Sequence, residues 1–200
     1  MTRVGAVILA AGAGTRLGTV AKALLVRDGR SYLATILATA RELGLHDAVV
    51  VVGPPHGDAV AAHARELGAR IAHNPRPERG MASSVALGFA AITPPHRPAA
   101  VPEADAAWLW PVDHPFVAPA TLRALVAALA DHAAVRPTFG GRGGHPPLIA
   151  RALWPRLAGC ADLDGGARAV LAAAAIADVA VDDPGCVRDV DTPADLEARP

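Results

Sequence analysis

The chain has 200 residues, and its 19 Lys+Arg against 19 Asp+Glu leave no net charge, which disfavours a basic nucleic-acid surface and a polybasic membrane anchor. With 52% hydrophobic and 19% charged residues, the composition supports a sizeable core and is far from that of a disordered segment. Only 4% of residues are aromatic, so stacking platforms for single-stranded nucleic acid are disfavoured too. A single domain over residues 1–200 is expected. Cys160 and Cys186 stand 26 positions apart without a CxxC, a pattern that fits two inert thiols better than a disulfide framework or a zinc site. No apolar run reaches the roughly 18 residues that span a bilayer, and the glycine-rich N-terminal run continues into Arg16 and Lys22, so a cytoplasmic protein is expected. Lys22 is the only lysine; the other 18 basic residues are arginines.

Strand and helix patterns alternate along the chain, the signature of βαβ units around a mostly parallel sheet. Val4 to Ala11 reads as a strand buried on both faces. A glycine-rich loop, Gly12 to Gly18, follows, and then a helix over Tyr32 to Leu43 that stops at Gly44. Ala48 to Val52 predicts a second buried strand, Asp58 to Leu67 a helix, and Ala69 to His73 a short strand. The next helix is expected to start at Ser83 or Ser84, one of them serving as N-cap, and to end at Ile92. Thr93 to Glu103 is proline-rich and reads as an exposed excursion before the strand Ala106 to Trp110. Pro111, Pro115 and Pro119 punctuate a loop, and Leu122 to His132 predicts another helix. Beyond Val135 the pattern loosens into a glycine-rich loop (Phe139 to His145), a short strand (Pro147 to Ile149) and a helix (Arg151 to Leu157). Ala167 to Ala175 is helical, Ile176 to Val181 a last strand, and Pro193 to Ala198 a terminal helix.

In such a sheet the ligand site lies beyond the carboxyl ends of the strands. Those ends carry Gly12 to Lys22, Asn74 to Ser84, Pro111 to Pro115 and Asp182 to Pro193. The loop LAAGAGTRLGTVAK is no P-loop, because Lys22 stands between Ala21 and Ala23 and not in Gly-Lys-Ser/Thr. It is no dinucleotide fingerprint either: Gly12, Gly14 and Gly18 give G-x-G-x-x-x-G, and the second strand ends in Gly53-Pro54 without an acidic ribose ligand. What remains is a strand followed by successive backbone N–H groups, one arginine and one lysine. That set suits a triphosphate, with a tight strand-to-helix turn as the plain alternative.

Asp113, in WPVDHPFV, follows an apolar strand, where a carboxylate is costly to bury without a partner cation. A Mg²⁺ ion bridging to nucleotide phosphates supplies such a partner, and a turn cap is the alternative. Asp182, Asp183, Asp189, Asp191 and Asp195 form a second acidic group near the C-terminus. A helix start with Asp191 or Thr192 as cap and Pro193 in the first turn accounts for one or two of these carboxylates, not five. No obvious Ser-His-Asp or Cys-His constellation emerges from the sequence.

Leu9 to Gly12, Gly14, Arg16, Leu17, Gly18 and Lys22 resemble the signature loop of the MobA-like nucleotidyltransferases, and within them the molybdenum cofactor cytidylyltransferases, with the lysine one position later than in the commonest form. VDHP resembles the family's Val-Asp-Gln-Pro metal motif, His114 standing for glutamine, and GCVRDVDTPADL resembles its terminal Asp-Ile-Asp-Thr-Pro motif. Asn74-Pro75 and Gly80-Met81-Ala82-Ser83-Ser84 are similar to its base and ribose segment. GGRGGHP, 140–146, is similar to its Gly-Arg-Arg-Gly-His-Pro segment, with Gly143 in place of the second arginine, and Asp164 to Arg168 to its Asp-Glu-Gly-Ala-Arg segment.

The resemblance implies an α/β, Rossmann-like three-layer sandwich with a mostly parallel central sheet, of the nucleotide-diphospho-sugar transferase type. It implies Arg16, Lys22 and Asp113 as catalytic residues, and magnesium on Asp113 and Asp191 with Asp189 beside them. Leu9, Ala10, Ala11, Gly12, Gly14, Asn74, Gly80, Ser83 and Ser84 then contact the nucleotide, and Arg142, His145 and Arg168 the acceptor. CTP is favoured over GTP, because the guanylyl branch usually carries glycine where Ala11 stands. The implied acceptor is a phosphorylated pterin, molybdopterin or molybdenum cofactor, with a molybdoenzyme or its chaperone downstream. A transferase using a phosphorylated sugar, alcohol or lactate-type acceptor, and a non-catalytic pterin-cofactor chaperone, are the alternatives.

Overall fold

Uninterrupted apolar strands place a sheet between two helical layers. The computed structural model describes residues 2–14, 18, 20–93, 103–192 and 194–195. Strand β1 (Val4–Leu9) is buried throughout. A small antiparallel hairpin of β2 (Val26–Arg27) and β3 (Arg30–Ser31) leads into helix α1 (Tyr32–Arg41). Then come β4 (Asp47–Val52), α2 (Gly57–Glu66), β5 (Arg70–His73), α3 (Met81–Ile92), β6 (Ala106–Pro111) and α4 (Pro119–Ala128). The last part holds β7 (Ala134–Phe139), β8 (Arg142–Gly143), β9 (Leu148–Ala150), α5 (Trp154–Ala158), α6 (Gly166–Ala173) and β10 (Ala177–Ala180).

The central sheet runs β10-β7-β9-β6-β1-β4-β5, with β8 paired to β7. β1 pairs in parallel with both β4 and β6, and β7 with β10, whereas β9 is antiparallel to β6 and β7. The sheet is therefore mostly parallel, as the alternating pattern predicts. Successive side chains point to opposite faces. Ile8, Val50 and Trp108 join Leu33 and Ile36 of α1, Val60 of α2 and Leu122 of α4 in one core. Val7, Val49 and Leu109 join Val85 and Phe89 of α3, Trp154 of α5 and Val170 of α6 in the other.

Three expectations change. Helix α3 begins at Met81 with Gly80 as N-cap and no side-chain cap, so neither Ser83 nor Ser84 caps it; Ser83 Oγ instead donates to Gly80 O (2.7 Å). The loosened pattern beyond Val135 conceals β7, whose burial is mixed. The choice between Asp191 and Thr192 as cap narrows to Thr192, whose backbone N–H donates to Asp195 Oδ2 (2.7 Å) in the reciprocal bond of a capping box, while Asp191 N–H donates to the same oxygen (3.1 Å). Most of the expected excursion at 93–103, and most of the expected terminal helix, fall outside the described residues.

Helix α3 approaches β1 and β4 through Gly88, where an added Cβ would lie 2.3 Å from Val7 Cγ1 and 3.0 Å from Val51 Cγ2. Glycine to alanine inside a helix ordinarily adds about 1 kcal/mol of stability. Here the stiff β-branched neighbours reverse the sign, and Gly88→Ala is expected to lower unfolding stability in denaturant by about 1–3 kcal/mol.

Candidate active site

The parallel strands deliver their C-terminal ends to one edge of the sheet. There, Ala10 N donates to Val51 O (2.8 Å) and Val112 N to Leu9 O (3.1 Å), which ties the loops after β1 and β6 together. Between them opens a cleft of about 350 Å³. It is lined by Leu9, Ala10, Ala11, Gly12, Gly14, Lys22, Gly80, Ser84, Asp113 and Asp191, all expected from sequence, and by Pro77, Met81, Pro111 and Val112, which lie in the expected strand-end segments but were not named as contacts. Met81 is 65% exposed; a large apolar residue opening a helix beside a glycine was the available signal. Gly14 adopts φ +61° with its α-carbon facing Val20 O, so no side chain fits there. Arg16 lies outside the described residues.

Lys22 opens a short 3₁₀ turn (Lys22–Leu24), and its Nζ donates to Asp113 Oδ2 at 3.3 Å and to Asp191 Oδ1. The lysine side chain is 16% exposed and the carboxylates 27% and 28%, so the three charges share a half-buried niche. Asp191 arrives because Val190 N donates to Asp113 O (2.9 Å). Asp113 Oδ1 is buried and finds no hydrogen-bond partner among the described residues. Two carboxylates with an unspent oxygen suit a hard divalent cation that takes its remaining ligands from phosphate and water. Among the described residues no cluster of three or more His, Cys, Asp or Glu side chains could hold a metal ion unaided.

Behind the cleft, Asn74 is buried and bonds Ser83 and Ser84. A second cavity of about 460 Å³ lies beside Phe139, Gly140, Arg142, Arg188, Asp189 and Asp195. Asp189 is exposed on its wall and not on that of the first cleft. His145 packs its ring on His114, centroids 4.7 Å apart, and its backbone N–H donates to Cys186 O (2.7 Å). Burial first, and then the neighbouring His114, hold the His145 imidazole down at about 4, and burial also depresses His114. Both rings are therefore neutral at pH 7, and neither Nδ1 has a partner among the described residues. Arg168 is exposed on α6 and lines neither cavity.

Several other acidic and nucleophilic groups serve the fold. Asp183 is 7% exposed and accepts from Ala118 N (2.9 Å), Thr121 Oγ1 (2.6 Å) and Gly185 N (2.9 Å). Both thiols are free and buried, and burial, with the nearby Asp183 second, pushes Cys186 up to about 11. Ser31, His63 and Glu66 do form a chain, with contacts of 2.7 and 3.4 Å, which no sequence spacing reveals. Ser31 is nevertheless buried and spends its oxygen on capping α1 through Ala34 N (3.0 Å), so it serves the helix start.

This arrangement defines an α/β protein whose ligand cleft sits beyond its parallel strand ends. The chain belongs to the MobA-like NTP transferase family, whose domain model matches residues 6–179. It is 34% identical over 173 residues to the nicotine blue oxidoreductase of Paenarthrobacter nicotinovorans, covering 82% of this chain and 79% of that one. It is 36% identical over 149 residues to the bifunctional protein GlmU of Azorhizobium caulinodans, covering 74% of this chain but spanning only 31% of GlmU. Among solved structures, Rv0371c of Mycobacterium tuberculosis H37Rv superposes with a TM-score of 0.77 at 28% identity, over 98% of this chain and 96% of that one. Its manganese complex gives a TM-score of 0.73 at 27% identity, over 98% and 97%. The fold is the three-layer, nucleotide-diphospho-sugar transferase type, and family and fold are those of NTP transferase enzymes. Among the described residues no helix is long and apolar enough to cross a membrane.

Removing Asp183 leaves three donors unpaired in the interior. Asp183→Ala is expected to cost about 2–4 kcal/mol in urea unfolding, whereas Asp182→Ala, an exposed neighbour, should change stability by less than about 0.5 kcal/mol.

Proposed function

We propose that the protein is a Mg²⁺-dependent cytidylyltransferase that transfers CMP from CTP to a phosphorylated pterin, molybdopterin or molybdenum cofactor, and releases pyrophosphate. The observation that carries this reading is the placement of Lys22 between Asp113 and Asp191 at the mouth of the glycine loop. An ammonium there already occupies the space between two carboxylates, and the same two side chains, Asp113 and Asp191, would hold a divalent cation that neutralises phosphate charge. The unpartnered Asp113 Oδ1 and the manganese complex of the Rv0371c relative support Asp113 and Asp191 as the magnesium holders, with Asp189 near the acceptor side. The metal, when bound, neutralises phosphate charge and orients the triphosphate.

The chain's own groups do the rest. Backbone N–H groups of the glycine loop face the triphosphate, and Lys22, released from the carboxylates, meets the charge that develops on the leaving phosphates, with Arg16 assigned to the same task by its loop position. An oxygen of the acceptor's terminal phosphate bonds to the α-phosphorus of CTP. The bond from that phosphorus to the bridging oxygen breaks, and pyrophosphate leaves with the electron pair. The attacking phosphate is already ionised at pH 7, so no general base is needed, and catalysis is positioning and charge neutralisation. The second cavity seats the acceptor, with Arg142 and Arg188 on its wall. Ala11, which lines the first cleft, narrows the space for a purine and so favours CTP. The oxidoreductase name of one relative belongs to that protein; here the glycine loop departs from the dinucleotide fingerprint.

The test is pyrophosphate release from CTP, Mg²⁺ and pterin acceptor, with CTP and GTP binding measured alongside. Release with the pterin, and tighter CTP than GTP binding, is the expected result. Equal binding or a GTP preference overturns the cytidylyl assignment, release only with a sugar phosphate moves the acceptor, and CTP binding without release favours a chaperone. Lys22→Met should lower turnover by about 10²–10³-fold and, by leaving the two carboxylates without their cation, tighten Mn²⁺ binding to the nucleotide-free protein. Weaker or unchanged Mn²⁺ binding would place the metal elsewhere.

A further inference from the structure

Asn74 lies just beyond β5 and is 2% exposed, with its backbone N–H donating to Val52 O at 2.7 Å. Its carboxamide can point only one way. Oδ1 accepts from the Arg76 backbone N–H (3.0 Å), and a flipped amide would set NH₂ against N–H, so Nδ2 must face α3. There it donates to both Ser83 Oγ and Ser84 Oγ, each at 2.9 Å. Ser83 then passes its own proton to Gly80 O (2.7 Å) and is satisfied. Ser84 also accepts from Asn74, but its proton meets no acceptor among the described residues, and Ser84 is the serine that lines the cleft.

We infer that Asn74 is a positioning residue that holds the Ser84 hydroxyl as a hydrogen-bond donor into the cleft, so the ligand atom seated there is an acceptor: a carbonyl oxygen or bare ring nitrogen of the base. This rests on the nucleotide reading of the same cleft. Asn74 itself does not touch the nucleotide, because every polar hydrogen and the oxygen of its amide are spent inside the protein. A buried hydroxyl with one unspent proton selects by chemistry: an amino group at that point leaves two donors facing each other, and an acceptor satisfies the last one.

Asn74→Asp tests the polarity with almost no change of shape. A carboxylate still accepts from Arg76 N–H but can only accept from the serines, so the Ser84 proton turns inward and its lone pairs face the ligand. CTP affinity, measured by calorimetry with Mg²⁺, should fall about tenfold or more in this variant, and by a similar factor in Ser84→Ala. In the Ser84→Ala background, Asn74→Asp should change the Kd by less than about twofold, because the group it orients is gone. The cycle subtracts any effect of the new charge or of altered packing, and melting curves report on the fold separately. An equal loss of affinity in both backgrounds, or none in either, overturns the inference while leaving the nucleotide site intact. Wild-type protein that binds no CTP and no GTP overturns the nucleotide reading and this inference together. Should Asn74→Asp not fold, Asn74→Ala frees the hydroxyl to rotate, and the same cycle decides: the loss must again depend on the presence of Ser84.

Discussion

Two carboxylates from distant parts of the chain need one cation between them, and most of the cleft is arranged to satisfy that need. Asp113 and Asp191 both lie within hydrogen-bond reach of a single nitrogen, that of Lys22, from which they are separated by 91 and 169 residues in sequence. At about 5 Å and an effective dielectric near 20, two such charges repel by at most roughly 3 kcal/mol, and their partial exposure screens that value further. The repulsion favours a positive group in the niche. The β1–β6 pairing sets the spacing by bringing the loops after Leu9 and Pro111 side by side, and the bond from Val190 N to Asp113 O fastens the third segment.

The fold was readable because its strands are buried on both faces. Val4–Leu9, Asp47–Val52 and Ala106–Pro111 are uninterrupted apolar runs, and the expected boundaries hold to within a residue or two. β7 was not readable. Arg136 and Pro137 interrupt it, and its pairing with the antiparallel β9 depends on a contact that no local pattern encodes. The start of α3 was misplaced for a chemical reason. Serines are good N-caps, but glycine at position 80, with φ +93°, takes the turn that opens the helix, and the serines are left to serve Asn74.

The same distinction runs through the site. Residue types that chemistry makes rare at strand ends, such as a lone lysine or a carboxylate after an apolar run, converge in space as their sequence positions suggest. What sequence cannot supply is which of several like residues faces the cleft. Of the five C-terminal aspartates, Asp191 turns to Lys22, Asp189 lines the second cavity, Asp195 ties back to Asp191 and Thr192, and Asp183 holds Ala118, Thr121 and Gly185. One backbone bond and one buried cap make that division, and both depend on tertiary contacts.

The choice of lysine follows from the same geometry. Arginines elsewhere in the chain make forked pairs, Arg70 with Asp47 and Arg136 with Asp178, where a planar guanidinium meets a carboxylate edge-on. The niche between Asp113 and Asp191 offers one oxygen from each of two separate carboxylates, a geometry that a compact ammonium fits and a fork does not. A single nitrogen on a flexible stem can also leave without dismantling the walls around it. A guanidinium bonded at two points to each carboxylate would be harder to displace, and the carboxylates would be slower to receive a divalent cation in its place. Net neutrality of the chain therefore does not describe the site: one ammonium faces two carboxylates, so the niche keeps one negative charge in excess, which a divalent cation in the lysine's place would neutralise.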